Sequence, residues 1–275
     1  MRLSKLSRTS LFFILLLVAI MFLVPIFYSV FTSFKHQTEI LKEGTFFVHN
    51  PTLSNYFYVF QRGSKYLTYY WNSIVITGVG LLITLLLAAM AGYSFAKLPF
   101  KGSNVFLGFI LFVVTFPLAA LLIPIYIMEF KAGILNTKIG LILPNVMNVL
   151  PFSVFIMRGV FIGIPKELEE SAEIDGCTIF RTWKDIMLPI AQNGLIIVLV
   201  FSFYSIWGEY TMAKTLATQD FSMPISVALT LLKGEDWNFG VLGAVISMAI
   251  VPPVAIFLVF QNKLVSGLVA GAVKG

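Results

Sequence analysis

Charged residues are scarce in this chain. They make up 12% of its 275 residues, whereas 58% are hydrophobic. A soluble globular domain carries about twice that share of charge, so the composition excludes that class. The mean hydropathy is +0.91, and several apolar runs reach the roughly 20 residues that a helix needs to cross a bilayer. We therefore predict an all-α integral membrane protein.

Cysteine and histidine are also nearly missing. The single cysteine, Cys177, excludes an internal disulfide and any multi-cysteine metal site. The two histidines, His36 and His49, lie in one polar stretch, where we expect solvated side chains rather than ligands. The net charge of +6 is scattered among loops without a basic patch. We predict neither a metal site nor a nucleic-acid partner.

The motifs of nucleotide binding and catalysis are missing too. The sequence has no GxxxxGK[ST] loop, no HExxH and no GxSxG, so we predict no catalytic residues and no enzyme activity in this chain. Proton- or sodium-coupled carriers use ionisable residues inside the membrane. Here we find a single carboxylate near the interior of an apolar run, Glu209. The driving force for any transport must then come from elsewhere.

Six apolar runs account for most of the chain. We place them at 11–34, 71–96, 103–128, 139–163, 188–212 and 240–261. A signal peptide is the alternative for the first run, which follows Arg2, Lys5 and Arg8. That run is too long, however, and no small-residue cleavage site follows it.

An even number of spans places both termini on one side of the membrane. With the termini inside, eleven Lys and Arg residues lie on the cytoplasmic side against eight outside, as the positive-inside rule favours. The predicted segments are a cytoplasmic N-terminus (1–10), a first span (11–34), an extracytoplasmic loop (35–69), a core with the other five spans (70–263) and a cytoplasmic C-terminal tail (264–275).

One dense polar block interrupts the apolar sequence, IPKELEESAEIDGCTIFRTWKDIMLP at residues 164–189. It lies between the fourth and fifth runs. Gly176 is a favourable residue to end a helix, and we predict a second short helix from about Thr178. Small side chains recur at helical spacing on the first helix, so the groove of a partner protein could approach this face closely. The alternative is an ordinary amphipathic loop helix.

The same block resembles the signature loop of ATP-binding-cassette (ABC) importer permeases. The match consists of Glu170-Ser171-Ala172, then Gly176, then Ile186-Met187-Leu188-Pro189 at the family spacing. Ser171 and Cys177 stand where the family usually has alanine. Further similar segments are Asn72-Ser73, IPIY at 123–126, LILP at 141–144 and LPF at 150–152. The ending at 266–275 resembles that of maltose-transporter permeases, which points to the carbohydrate-uptake branch.

The resemblance implies a fold and a set of partners. The fold is a six-transmembrane-helix bundle of the type I ABC importer permease kind, with a cytoplasmic coupling helix within 164–187. The residues expected to contact the ATPase are Leu168, Glu170, Ser171, Ala172, Asp175 and Gly176.

The expected partners are a second homologous permease, two cytoplasmic ATPases that bind ATP and Mg²⁺, an extracytoplasmic solute-binding protein and membrane lipid. This chain itself would carry no cofactor. The expected location is a bacterial or archaeal cell (inner) membrane. Alternatives are a permease for glycerol phosphate or another small polar solute, a stand-alone secondary carrier, and an integral-membrane enzyme.

Two groups of residues are candidates for the solute path. The stretch Trp207-Gly208-Glu209-Tyr210 resembles a family segment, and its aromatic rings and carboxylate suit a sugar. Asn145 and Asn148 lie in a proline-flanked part of the fourth run. The alternatives are interfacial anchoring for the aromatic residues and inter-helix hydrogen bonding for the asparagines. We expect the loop at 214–239 to face the solute-binding protein, with a re-entrant hairpin as the alternative.

Overall fold

The computed structural model describes residues 5–43, 45–61, 64–98, 100–231 and 238–272. All regular structure in these ranges is helical. In chain order the helices are α1 (Lys5–Ser33), α2 (Gln37–Glu43), α3 (Ser54–Phe60), α4 (Lys65–Lys97), α5 (Ser103–Val113), α6 (Leu118–Ala132), α7 (Lys138–Ile162), α8 (Glu167–Ile174), α9 (Ile179–Arg181), the π-helical turn π1 (Thr182–Met187), α10 (Leu188–Ile190), α11 (Gln192–Trp207), α12 (Thr211–Leu216), α13 (Ile225–Leu231) and α14 (Phe239–Ala272).

Four of these helices are long and apolar enough to cross a membrane: α1, α4, α7 and α14. Two further candidates are bent pairs, α5 with α6 at 95°, and Ile179–Ile190 with α11 at 76°. The described chain therefore contains four spans, or up to six if each bent pair crosses once. Each apolar run predicted from the sequence overlaps one of these elements, and the count of six stays a prediction.

The first bend follows from proline chemistry. Pro117 precedes the first residue of α6 in an extended conformation, with φ −64° and ψ 130°, and it has no backbone N–H to continue a helix. Residues before a proline also avoid the helical region. The second bend lies at Ala191, between α10 and α11. The run predicted at 188–212 thus begins before a sharp turn and continues beyond Trp207, the last residue of α11.

The chain divides into two compact units. The first unit comprises Met1–Leu67 and Ala228–Val251. The stretch predicted as the loop 35–69 contains helices α2 and α3 and the start of α4. Asn55 in α3 is buried, and its side-chain amide donates to the carbonyl oxygens of Ser33 and Lys35, each at 2.9 Å. Gly240 in α14 leaves room for this amide, since a Cβ there would lie 2.5 Å from Asn55 Nδ2.

The second unit comprises Thr68–Val227 and Pro252–Gly275. Its helix α7 is more buried than α4, with 56% of its most apolar stretch buried against 33%. Asn72 and Ser73 in α4 bind the segment before α13. The Asn72 amide donates to Met223 O at 2.9 Å, and the Ser73 hydroxyl accepts the Ile225 N–H at 2.8 Å.

Two predicted features fall partly outside the described residues. The loop predicted at 214–239 contains the end of α12, all of α13 and the first residue of α14, and residues 232–237 within it are outside the description. The backbone of α14 continues to Ala272, so the predicted tail 264–275 begins as helix. Residues 273–275 of the family-like ending are outside the description as well.

Candidate functional site

The polar block folds into two short helices joined by a tight turn. Helix α8 ends at Ile174, and Gly176 follows with a φ of +75°, in the left-handed region that favours glycine. The Cys177 N–H closes the turn by donating to Ala172 O at 2.9 Å. Thr178 then caps α9, accepting the Arg181 N–H at 3.3 Å. The predicted helix, turn at Gly176 and second helix from Thr178 are confirmed; residues 164–187 are called the bracket below.

The bracket presents both polar and apolar side chains. Leu168 and Ser171 on α8 and Asp175 directly after it are exposed, whereas Ala172 is 2% exposed and turned into the chain. Glu170 and Gly176 are exposed as well, so five of the six residues predicted to contact the ATPase lie on the surface. Three larger apolar side chains, which the sequence analysis did not select, are also exposed: Ile174 at 86%, Ile179 at 61% and Phe180 at 62%. Their signal in the sequence was their apolar character within an otherwise charged block.

The charges on the bracket surface are partly paired. Lys166 Nζ lies 3.0 Å from Glu170 Oε1, one helical turn away. The hydrogen bond to Glu170 raises the pKa of the Lys166 ammonium above its ordinary value. Arg181 and Asp185 form a second pair at 3.6 Å. Both pairs are well exposed, so they contribute little to folding and leave their charges available to a partner.

The inner side of the bracket is seated on a hydrophobic core. Ile164, Trp183 and Met187 are all at most 7% exposed, and they pack in one cluster with Met157 and Phe161 of α7. Each large apolar side chain buried in this cluster stabilises the packing by about 1.5–3 kcal/mol. The bracket is consequently a supported element with a defined position on α7, and not a free loop.

The two candidate asparagines of the solute path differ in their surroundings. Asn145 is 3% exposed, and its amide donates to Leu141 O of the same helix at 2.8 Å. Asn148, one turn later on α7, is exposed. The side-chain amide of Asn145 thus donates within its own helix and not between helices. A role in the path stays a prediction for both, and exposure favours Asn148.

Trp207 belongs to an aromatic cluster. Its ring stacks on Phe203 with centroids 5.7 Å apart and meets the edge of Tyr70 at 5.9 Å. It is 9% exposed. Tyr210, by contrast, is 40% exposed. Of the two aromatic candidates, Tyr210 has the ring surface available for a solute in this conformation.

Glu209 caps a helix. Its two carboxylate oxygens accept the backbone N–H groups of Met212 at 2.7 Å and Ala213 at 2.9 Å, in the first turn of α12. The Glu209 carbonyl accepts the Ser226 hydroxyl at 2.7 Å. Carboxylates are favoured at helix N-termini, so this residue has a structural role independent of any solute.

A second carboxylate lies within a candidate span, and the sequence analysis missed it. Glu129 in α6 is 5% exposed, and one of its oxygens has no hydrogen-bond partner. It faces the first turn of α7, where a Cβ on Gly140 would lie 2.8 Å from Glu129 Oε2. The sequence prediction did not include Glu129 because this residue lies one position beyond the apolar run placed at 103–128. Among the described residues, no group of three or more His, Cys, Asp or Glu could hold a metal ion.

A protein-family model matches residues 84–268 of this chain, about two thirds of its length. The model is described as the inner membrane component of binding-protein-dependent transport systems. The chain belongs to this permease family. The matched range includes the whole bracket and all five solute-path candidates, so both groups of residues lie in the part of the chain that the family shares.

Curated relatives resemble this permease along nearly their full length. The arabinooligosaccharides transport system permease protein AraQ of Halalkalibacterium halodurans is 33% identical over 94% of this chain and 93% of its own. The sulfoquinovosyl glycerol transport system permease protein SmoH of Agrobacterium fabrum is 32% identical over 92% and 89%. The trehalose transport system permease protein SugB of Mycobacterium tuberculosis is 31% identical over 92% and 93%.

Solved structures share the fold of this permease. A chain of a bacterial ABC transporter involved in the import of the acidic polysaccharide alginate superimposes with a TM-score of 0.81, at 23% identity, over 95% of this chain and 99% of that one. A chain of the bacterial alginate ABC transporter in complex with an alginate pentasaccharide-bound periplasmic protein gives 0.68, at 15% identity. The chain is therefore an all-helical, multi-pass membrane permease with an ABC importer fold.

Proposed function

We propose that this chain is one permease subunit of an ATP-driven carbohydrate importer, and that the bracket is its docking site for a cytoplasmic ATPase. The observation that carries the proposal is the bracket itself: a core-seated helix pair with Leu168, Ile174 and Phe180 exposed beside charged side chains. Exposed apolar patches of this kind mark protein interaction sites. The relatives named for sugar transport support the carbohydrate assignment.

The mechanism follows from differential contact in two states. Closure of a pair of ATPases displaces the bracket, and the displacement changes which side of the membrane the bundle opens to. A partner shifts such an equilibrium only by binding the two states unequally. ATP and Mg²⁺ bound by the ATPases supply the driving force, while this chain supplies the docking surface, the turn at Gly176 and one wall of the path.

The remaining partners are proposed on separate grounds. Helix α1 has none of its apolar window buried within the chain, a surface suited to lipid and to a second permease. The family name implies a solute-binding protein, which we place on the extracytoplasmic side with the segment around α12 and α13. Asn148, Glu209 and Tyr210 would line the solute path, with Asn145 and Trp207 behind them.

The orientation can be tested with the single cysteine. Cys177 lies in the bracket and is half-buried. In intact cells or right-side-out vesicles, a membrane-impermeant maleimide should leave Cys177 unlabelled, and permeabilisation should allow labelling. Labelling of intact vesicles would place the bracket outside, where no ATPase could reach it, and would remove the proposed function.

The substrate class needs a binding measurement. The cognate solute-binding protein should be titrated calorimetrically with trehalose, arabinooligosaccharides, diacetylchitobiose and glycerol phosphate. The reconstituted transporter, with both permeases and the ATPases, should then import the compound that binds. We expect a saccharide; selective binding and uptake of glycerol phosphate would replace it with the alternative solute. Uptake without any ATPase would support a stand-alone carrier instead.

A further inference from the structure

A buried ammonium group, that of Lys97, connects α8 to the end of α4. Lys97, the last residue of α4, has a side chain only 9% exposed. Its Nζ donates to Ile164 O at 2.7 Å and lies 3.4 Å from Glu169 Oε2. The Glu169 side chain is itself 17% exposed. The Lys97 ammonium group thus links the end of α4 to two other segments: the backbone just after α7, at Ile164, and the beginning of α8, at Glu169.

This ion pair differs from the other pairs of the bracket. Lys166 and Glu170 are 78% and 55% exposed, and their pairing is within α8. A surface pair within one helix exchanges readily with water and transmits nothing between elements. The Lys97–Glu169 pair is shielded from solvent. It connects α4 with α8 through two residues that are 72 positions apart in sequence. Removal of one member would leave the other charge buried without its partner.

The two helices that receive this contact are closely packed together. Gly92 in α4 approaches α7 so closely that a Cβ there would lie 2.5 Å from Met157 Cβ. One residue later, the Tyr93 ring packs edge-on against Phe161 at 5.5 Å. A displacement of α8 is therefore applied to α4 and α7 at a point where the two helices cannot move apart easily.

We propose that Lys97 is a positioning residue for coupling: through Glu169 and the Ile164 carbonyl it passes movements of the bracket to α4 and α7. This rests on the proposed function, since it assigns a route to the force that an ATPase delivers. Because the Lys97 side chain is only 9% exposed, it would act through the bracket and not by its own contact with the ATPase. Its role is to make the bracket and the two spans move as one body.

The test compares charge removal with conservative replacement in the full complex. The variants are Lys97→Met, Lys97→Arg, Glu169→Gln and the double variant Lys97→Met with Glu169→Gln. Lys101→Met is the matched control, because Lys101 is an exposed lysine four positions after Lys97 and lies outside the bracket. Each complex is reconstituted in nanodiscs with its second permease, ATPases and solute-binding protein. The readouts are co-purification of the ATPase, basal ATP hydrolysis, and its stimulation by the sugar-loaded binding protein.

We expect Lys97→Met and Glu169→Gln to keep the ATPase bound and the basal rate within about twofold, while stimulation falls about tenfold, which is a loss of about 1.4 kcal/mol of coupling at 25 °C. Lys97→Arg keeps charge and donors, so it should retain most of the stimulation. The double variant should be no worse than Lys97→Met, as expected for two groups acting as a unit. The exposed control Lys101→Met should stay within about twofold of wild type.

Normal stimulation in an assembled Lys97→Met complex would overturn the proposal. So would an equal loss in Lys101→Met, or a loss of assembly and of basal activity together in all Lys97 and Glu169 variants, which would show a purely structural role. The wild-type complex separates the two levels of inference. If wild type shows no ATPase association or stimulation, the proposed function fails; if wild type couples and Lys97→Met couples equally well, only the role of Lys97 fails.

Discussion

Gly92 of α4 lies directly against Met157 of α7. A Cβ built on Gly92 would be 2.5 Å from Met157 Cβ and 2.9 Å from the backbone nitrogen of Arg158. The neighbouring Ala88 is completely buried. Small residues at this spacing allow helix backbones to approach closely in membranes, and here the approach brings together the two spans beneath the bracket.

A larger residue at Gly92 should therefore separate α4 from α7. We expect Gly92→Ala to lower the free energy of unfolding by about 1–3 kcal/mol, the usual range for overpacking, and Gly92→Val to lower it further. Thermal unfolding in detergent, followed by tryptophan fluorescence, measures the loss. Gly159→Ala is the matched control, because nothing lies within 4 Å of a Cβ at that helical position. Equal stability of Gly92→Ala and Gly159→Ala would contradict the close contact.

Substitution of Gly176 should act through the backbone and not through bulk. Nothing lies within 4 Å of a Cβ at Gly176, but its φ is +75°. A non-glycine residue in this region costs about 1–2 kcal/mol, and asparagine tolerates it better than most. We expect Gly176→Ala and Gly176→Leu to reduce ATPase co-purification by similar amounts, and Gly176→Asn to retain most of it. A graded loss that follows side-chain size would instead indicate that a partner surface packs against Gly176.

Glu209 and Asn148 should separate a structural effect from a solute-path effect. Glu209 caps α12 with two hydrogen bonds, so Glu209→Ala should lower stability by about 1 kcal/mol, a typical cost of losing a cap. Asn148 is exposed, so Asn148→Ala should leave thermal unfolding unchanged. If Asn148 contacts the solute, its replacement raises the KM for uptake. Unchanged uptake kinetics in both variants would remove these two residues from the path.

Glu39 should make the first unit sensitive to acid. Its carboxylate accepts the backbone N–H of His49 at 2.9 Å, and this bond lowers the pKa of Glu39 below the ordinary value of 4.5. Because the folded-state pKa is below the unfolded one, the carboxylate stabilises the fold above pH 4.5, and this stabilisation is lost as the pH falls below 4.5 through the lowered pKa.

Thermal unfolding measured between about pH 6 and about pH 3 tests the acid effect. Wild type and Glu39→Gln should differ most at the upper end of this range and converge at the lower end. His49→Asn keeps the backbone N–H that Glu39 accepts but removes the imidazole ring, whose Nδ1 lies 3.4 Å from Glu39 Oε1, so it should retain most of the acid dependence of the wild type and not all of it. A constant difference between wild type and Glu39→Gln across the range would show that the Glu39 carboxylate does not titrate in this transition.

The class of the protein could be predicted from composition and spacing alone. Apolar runs longer than a bilayer core leave a helical membrane protein as the physical solution, because backbone polar groups must be satisfied internally in lipid. The turn at Gly176 and the cap at Thr178 were likewise predictable, since both are local: they depend on the preference of glycine for positive φ and of threonine for a helix start. The family followed from the same local block.

The rest depended on packing between segments far apart in the chain. The sequence shows small-residue pairs at Ala88–Gly92 and at Gly159–Gly163, yet a Cβ at Gly92 would meet α7 and one at Gly159 would meet nothing. Spacing gives the face of a helix but not what lies opposite. The pairing of Lys97 with Glu169 and the inward turn of Ala172 were likewise decided by the tertiary structure. Each depends on how α4, α7 and the bracket meet, because contacts between distant segments are set by the fold and not by local propensity.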